Sequence, residues 1–298
     1  MFTLTFWRGL LRLLRPYWWG KTFFFFTFGA VAALGTVPDL SQLIVGLILI
    51  GPIFYGGLYI LNDLSDIKVD KLDPEKKNKT FPSGMVSPQT GLAITIILIS
   101  SALIFSFNNF FFFLCLIAML INQLLYSFPP FRLKNRAFFD VLSTAVLSSS
   151  LKFLAGWFFF TESSSITILP LIGISLVQTG SYLMYKWKYN RPIDLELGHH
   201  TTAALLSEQT IKTISKIALA CGLGIFALMS LIPLFFPQFR FLGALPPFSI
   251  LIIIFAILAT PFYWKKFTNH PGVFKIQTRM YNYYLLFTLL LLLLYWLN

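Results

Sequence analysis

Long apolar stretches alternate with short polar segments along the whole chain. A membrane-crossing helix needs about 20 largely apolar residues. The block from 90 to 127 is too long for one crossing, and Asn108-Asn109 is its polar break, which predicts a tight helical hairpin. The pattern predicts an all-α membrane protein of about nine transmembrane helices, at 22–38, 40–61, 90–107, 109–127, 138–160, 166–186, 213–236, 244–264 and 280–297.

The composition agrees with a lipid solvent. Of 298 residues, 57% are apolar and 11% are charged, whereas soluble domains carry roughly 25% charged residues. A formal charge of +12 by itself fits nucleic-acid binding, but so few charges do not keep so apolar a chain in water. The basic residues are better explained by membrane orientation, and no nucleic-acid or obligate protein partner is expected.

The basic residues fall on one side of the predicted bundle. All but Lys152 and Arg240 of the 23 lysines and arginines lie in the N-terminal segment or in the loops after the second, fourth, sixth and eighth predicted helices. Positively charged loops remain in the cytoplasm, so the N-terminus and this face are predicted to be cytoplasmic. Residues 1–21, basic and rich in Trp, are expected to lie in the headgroup region as a pre-helix. Residues 22–298 are expected to form a single transmembrane domain.

The scarce acidic residues cluster on this same face. Asn62, Asp66 and Asp70 are spaced i, i+4, i+8, so a continuing helix stacks them on one side, with Asp63 adjacent. Stacked carboxylates repel one another unless a hard cation is shared, and oxygen-only ligands suit Mg²⁺ bridged to phosphate. Five acids belong to this group, and two lysines that follow are candidate phosphate ligands: Asp63, Asp66, Asp70, Asp73 and Glu75, then Lys77 and Lys79.

Two further segments on this face are candidates. Asn190 and Asp194 keep the i, i+4 spacing after the sixth predicted helix, and Pro192 is expected to loosen the helix there. Tyr126 and Lys134 flank a proline-stiffened exit from the fourth helix and are candidate donors to diphosphate oxygens. Solvated loops whose acids balance nearby lysines, and an aromatic interface belt followed by orienting charges, are the alternative interpretations.

Lys152 lies within a predicted membrane helix. A cation there costs roughly 3 kcal/mol on insertion scales. Lys152 is therefore expected to face a cavity or a polar partner, or else to extend its ammonium toward the interface.

The most specific segment runs from Asn62 to Asp70 and continues through Asn78-Lys79-Thr80-Phe81-Pro82-Ser83-Gly84. It resembles the first Asp-rich motif of the UbiA superfamily of intramembrane prenyltransferases and the Asn-Arg-Pro-Leu-Pro-Ser-Gly sequence after it. The resemblance implies a helical bundle around a central cavity and Mg²⁺-dependent loss of diphosphate. The catalytic acids it implies are Asp63, Asp66, Asp70 and Asp194, and the metal ligands are Asn62, Asp66, Asp70, Asn190 and Asp194.

One departure concerns the second motif, commonly Asp-x-x-x-Asp in the family. Asn190 stands at its first acid, so the site loses one negative charge and the binding of a second Mg²⁺ is in question.

The expected reaction transfers a prenyl group from a prenyl diphosphate to a lipophilic acceptor in the membrane, with an aromatic acceptor as one option. Residues 151–156 and Leu14-Arg15-Pro16 also resemble a branch that transfers phosphoribose from phosphoribosyl diphosphate to polyprenyl phosphate, with Lys152 at an arginine position. A terpene cyclase with the same metal site is a further alternative. A transporter is disfavoured because its acids belong near mid-membrane, and nothing structural requires these clustered acids in a scaffold.

Overall fold

The computed structural model describes residues 4–72, 78–163, 166, 168–196 and 198–235, together with isolated positions between 254 and 296. These residues form helices and no strand, and one bridge joins Arg136 to His200. The helices are α1 Leu4–Leu14, α2 Trp19–Leu34, α3 40–72, α4 Pro88–Ser106, α5 Phe110–Ser127, α6 Phe139–Phe160, α7 168–196, α8 Thr202–Leu205 and α9 Glu208–Phe235.

Three of the long helices contain a π-helical segment. In α3 it spans Leu49–Tyr55 and includes Pro52, which has no N–H to donate to the helix. In α6 it spans Leu142–Leu147, and in α7 it spans Lys186–Asn190. Such segments shift the helix face and often accompany functional sites. Those of α3 and α7 precede the two acidic groups of the sequence.

Six helical stretches are long and apolar enough to cross a membrane: Leu40–Lys68, Pro88–Ser106, Phe110–Ser127, Phe139–Phe160, Ile168–Asn190 and Glu208–Ile232. The chain is therefore an integral, multi-pass membrane protein. The helix predicted at 22–38 is α2, which has only 16 residues. The helices predicted at 244–264 and 280–297 lie outside the described residues, apart from isolated positions. The total of nine and the cytoplasmic N-terminus stay predictions.

The hairpin predicted at Asn108-Asn109 is present between α4 and α5. The Asn109 side chain accepts a hydrogen bond from the backbone N–H of Phe112 at 3.0 Å and so caps α5. Its amide nitrogen donates to the Phe158 carbonyl at 2.6 Å. One polar residue therefore both begins the second crossing and fixes the hairpin to α6.

Small residues let the helices approach closely, as is common in membranes. α2 packs on α6, and α7 packs on α9. A Cβ atom at Gly29 of α2 would lie 1.9 Å from the Phe153 carbonyl oxygen, and one at Gly156 of α6 would lie 1.9 Å from that of Phe26. Each glycine thus accommodates the backbone of the facing helix.

The largest buried apolar cluster among the described residues lies among α2, α3, α4, α5 and α6, around Phe26, Phe54 and Phe112. C-terminal positions also join it: Leu292 is fully buried there, and the indole N–H of Trp296 donates to the Pro38 carbonyl at 3.0 Å. This packing fixes the end of α3 that lies away from its acidic residues.

Candidate active site

The acidic residues that follow the apolar part of α3 remain within the helix. α3 is helical through Leu72, so Asn62, Asp66 and Asp70 follow one face over about 12 Å, as their spacing predicts. Asp63 and Asp70 are 9% and 4% exposed. Carboxylates this buried require compensating charge, and basic side chains from three other segments supply it.

Asp63 pairs with Arg15, which follows α1. Arg15 Nη2 lies 2.5 Å from Asp63 Oδ1, and Arg15 Cζ lies 5.6 Å from the centre of the Tyr59 ring. Lys79 Nζ is 3.9 Å from the same carboxylate oxygen. Burial by itself would lower the pKa of Arg15, but the Asp63 charge and the neighbouring tyrosines outweigh it and raise this pKa, so Arg15 stays charged.

Asp70 pairs with Lys79, one of the candidate phosphate ligands. Lys79 Nζ donates to Asp70 Oδ2 at 2.8 Å. The buried Thr80 donates to the Gly9 carbonyl of α1 at 3.4 Å, so α1 packs on the loop that presents Lys79. The other candidate in this loop, Lys77, lies outside the described residues.

Asp66 accepts from two cations of the α5–α6 loop. Lys134 Nζ donates to Asp66 Oδ1 at 2.6 Å, and Arg132 Nη2 donates to the same oxygen at 3.1 Å. Lys134 also contacts Ser65 Oγ at 3.4 Å. Burial lowers the pKa of Lys134, although the Asp66 charge partly opposes this. The loop thus brings two phosphate-binding side-chain types to the middle of the acidic helix face.

Asn62 links α3 to α5 by hydrogen bonds. Ser127 Oγ donates to Asn62 Oδ1 at 3.0 Å, and Gln123 Nε2 donates to Ser127 Oγ at 2.7 Å. These bonds orient the amide so that its oxygen, the atom that a metal would use, points toward α5.

The second acidic group lies at the end of α7, after the π-helical segment. Asp194 is 6% exposed and accepts from Thr201 Oγ1 at 2.9 Å. Lys186 Nζ and His199 Nδ1 each lie 3.6 Å from its carboxylate oxygens. Asn190 lies on the same helix, and its Oδ1 is buried without a hydrogen-bond partner.

Tyrosines connect the two acidic groups. Tyr126, a predicted diphosphate ligand, interacts electrostatically with Tyr182 and Tyr185 of α7. Tyr185 also interacts with Arg15, and Tyr182 with Asp194. Because Arg15 pairs with Asp63 of α3 and also interacts with Tyr185 of α7, the acidic ends of the two helices lie at the same end of the bundle.

The sequence analysis assigned no role to Asp140, which is fully buried at the start of α6. Thr202 Oγ1 donates to it at 2.5 Å, and the Tyr182 hydroxyl donates at 3.4 Å. Thr202 Oγ1 also accepts from the Phe138 N–H at 2.7 Å. Asp140 thus holds the loop that carries the Thr201–Asp194 bond. An isolated acid opening an apolar run was the available signal for it.

The residues of the two groups fit a hard divalent cation by ligand type. All donors are carboxylate or amide oxygens, which Mg²⁺ prefers, and the unpartnered Asn190 Oδ1 leaves an acceptor for a cation or its bound water. Within the described part of the chain, no group of three acidic or histidine side chains is close enough together to form one metal centre. Asp63, Asp66, Asp70 and Asp194 are instead paired with basic side chains.

Lys152 lies deeper in the bundle, on α6, and is 4% exposed. Its Nζ donates to Ser148 Oγ at 2.9 Å and lies 4.5 Å from the centre of the Tyr55 ring on α3. Of the options that the sequence leaves open, the structure shows a polar partner within the helix bundle.

Comparisons with known proteins agree with this architecture. The sequence profile of the UbiA prenyltransferase family matches residues 22–283. The chain is 29% identical over 178 residues to the bacteriochlorophyll synthase 34 kDa chain of Chloroflexus aurantiacus, covering 57% of this chain and 56% of that one. It is 31% identical over 198 residues to the digeranylgeranylglyceryl phosphate synthase of Sulfurisphaera tokodaii, covering 65% and 67%. The match thus spans little more than half of the first relative's length.

Among solved structures, a UbiA homologue from Archaeoglobus fulgidus bound to GPP and Mg²⁺ superposes with a TM-score of 0.69 at 20% identity, covering 93% of this chain and 98% of that one. At this identity the likeness shows a shared fold. Together with the profile match over most of the length, it settles the family. The chain belongs to the UbiA prenyltransferase family of membrane enzymes.

Proposed function

We propose that the protein transfers a prenyl group from a prenyl diphosphate to a lipophilic acceptor within the membrane, in a Mg²⁺-dependent reaction at the cytoplasmic end of α3 and α7. The observation that carries the proposal is the row of acids on α3 with Arg15, Lys79 and Lys134 beside it. An alternation of carboxylates and cations suits a metal–diphosphate complex, in which both signs of charge need partners.

The proposed roles follow from the chain's own contacts. Asn62, Asp66, Asp70, Asn190 and Asp194 hold the metal, which supplies charge neutralisation to the departing diphosphate when it is bound. Lys79 and Lys134 now bind carboxylates, and we infer that they turn from these to the diphosphate oxygens. Tyr126 donates its hydroxyl proton there, and Lys77 is retained as a further ligand from the sequence.

The reaction breaks the bond between C1 of the prenyl group and the diphosphate oxygen, and the electron pair leaves with diphosphate. The acceptor nucleophile forms the new bond to C1 and gives up one proton. Tyr182 interacts with Asp194 and Tyr126, and Tyr185 interacts with Arg15 and Tyr126. We infer that these rings offer aromatic faces to the developing allylic cation.

The relatives favour prenyl transfer over the alternatives. One is named as a bacteriochlorophyll synthase and the other as a digeranylgeranylglyceryl phosphate synthase, and the Archaeoglobus homologue is bound to GPP, a prenyl diphosphate. These names support a prenyl donor. They leave the acceptor open, and they give no support to phosphoribosyl transfer or to cyclisation.

The test is product analysis by mass spectrometry. Purified protein is incubated with Mg²⁺, either geranyl diphosphate or phosphoribosyl diphosphate, and a panel of phenolic, chlorin and glyceryl-ether acceptors. We expect a prenylated acceptor in the incubations with geranyl diphosphate and no product in those with phosphoribosyl diphosphate. Asp70→Asn should lower turnover by about a hundredfold or more. Glu208→Gln changes an exposed carboxylate that pairs with Lys212 at the start of α9, and it should leave turnover unchanged. Phosphoribosylated lipid, or a cyclised hydrocarbon formed without acceptor, would contradict the proposal.

A further inference from the structure

The Lys152 side chain takes no part in the proposed donor site. It lies on α6 in a segment that spans the membrane and is 4% exposed. Cations inside a membrane protein are costly and usually pair with an anion or face a functional pathway. Among the described residues Lys152 contacts the hydroxyl of Ser148 and the aromatic ring of Tyr55, and neither carries a negative charge.

The acidic residues have other positions and partners. All eleven acids of the chain except Asp73 and Glu75 lie in the described residues, and within that part none forms an ion pair with Lys152. The carboxylates nearest along α3 are engaged elsewhere, Asp63 by Arg15 and Asp66 by Lys134. The ammonium is therefore not neutralised by any acid that the structure describes.

Additional polar groups surround this position. Ser149 Oγ, one helical turn before Lys152, is fully buried and has no hydrogen-bond partner. The Tyr55 hydroxyl lies 3.5 Å from Ser148 Oγ. Lys21 of α2 acts on Lys152 as a second positive charge. Two lysine side chains and an unsatisfied hydroxyl are hydrogen-bond donors of the kind that an anion requires.

The distance from the acidic groups separates this position from the donor diphosphate. Tyr55, which Lys152 contacts, precedes Asp63 by eight residues and Asp66 by eleven, which is about 12 Å and 16 Å along α3. Metal–oxygen bonds span about 2 Å, and reacting atoms approach to about 3 Å. A diphosphate bound at Asp66 is therefore too far away to contact Lys152. A small acceptor bound between the two can contact both.

We propose that Lys152, with Ser148 and Ser149, forms an anion-binding subsite that holds the acidic group, a carboxylate or a phosphate, of the acceptor while its nucleophile faces the prenyl donor. The inference rests on the proposed function and adds an acceptor class to it. Lys152 acts on specificity, through acceptor binding. The ring of Tyr55, whose centre lies 4.5 Å from Nζ, helps to orient the Lys152 side chain.

The experiment compares acidic acceptors with neutral counterparts of the same shape, using purified protein, Mg²⁺ and geranyl diphosphate. One arm pairs 4-hydroxybenzoate with its methyl ester, and the other pairs a glyceryl-ether phosphate with the glyceryl ether. We expect the wild type to favour the acid in one arm by about tenfold or more in kcat/KM. Lys152→Met should bring this ratio close to one through KM, and Lys152→Arg should retain it. Lys212→Met is the matched control, because Lys212 Nζ also lies near an aromatic ring, that of Trp187 at 5.1 Å, but Lys212 pairs with Glu208 at the start of α9.

A binding measurement separates the two levels of the proposal. With each acidic and neutral compound alone, thermal unfolding should show stabilisation by an acid that Lys152→Met abolishes. Stabilisation by Mg²⁺ and geranyl diphosphate should persist in that variant. Absence of the latter in the wild type overturns the donor assignment. Equal effects of acid and neutral compound in the wild type, or a preference that survives Lys152→Met, overturns the subsite.

Discussion

At the residue scale, the site consists of acids whose partners come from distant parts of the sequence. The helical spacing of Asn62, Asp66 and Asp70 could be predicted because it is a local property of one helix. The pairing of Asp63 with Arg15 joins residues 48 positions apart, and that of Asp66 with Arg132 joins residues 66 apart. Such contacts depend on helix packing, which no local pattern encodes. The sequence therefore indicated Arg15 and Arg132 only as orienting charges.

Lys134 allows a test of phosphate binding by pH. Because burial lowers the pKa of Lys134, its ammonium loses a proton at a pH below the ordinary lysine value of 10.5. The value of kcat/KM for the prenyl diphosphate reports the free enzyme, so its alkaline fall should begin below that value. Lys134→Arg keeps the charge at all accessible pH values and should move the fall upward.

The control for this profile is Lys212→Arg, which makes the same change at a partly exposed lysine that pairs with Glu208. Its pH profile should match that of the wild type. An alkaline fall that stays in place in Lys134→Arg would show that another group controls donor binding.

At the element scale, the pattern predicted helices well and their ends less well. Asn108-Asn109 separates two crossings as expected, because the Asn109 side chain caps the start of α5 through a hydrogen bond to a residue three positions away. The helix predicted at 40–61 continues to Leu72. Its additional turns are stabilised because Asp63, Asp66 and Asp70 pair with basic side chains of other segments. The predicted 22–38 helix stops at Leu34, where Gly35 takes a φ of +63°. The π-helical segments had no recognised signal.

The crossing of α2 and α6 predicts a stability difference between two equivalent substitutions. Gly156→Ala places a methyl group against the Phe26 backbone, and such overpacking typically costs about 1–3 kcal/mol. Gly224→Ala, in α9, meets nothing within 4 Å and should be neutral or slightly stabilising, because alanine favours helix. Thermal unfolding in detergent measures both. Equal melting temperatures for the two variants would show that the helices do not cross as closely as described.

At the scale of the whole molecule, apolar length and charge asymmetry predicted a multi-pass helical membrane protein, and the six candidate spans agree. The two acidic groups, far apart in sequence, lie at one end of the bundle, and tyrosines of α7 interact with Asp194 and Arg15 there. The Asn-Asp-x-x-Asp-x-x-x-Asp motif pointed to this end. The buried Asp140–Thr202 bond that holds its second half emerges only once α6 and the 198–202 segment are brought together.

The account depends on the acids of α3 binding a metal–diphosphate complex. Equilibrium binding of radiolabelled geranyl diphosphate to the purified protein, titrated with Mg²⁺, tests this most directly. We predict saturable binding that requires Mg²⁺, that is weakened about tenfold or more by Asp66→Asn, and that is retained in Glu208→Gln. Binding that is equally strong with the metal chelated, or unchanged in Asp66→Asn, would contradict it.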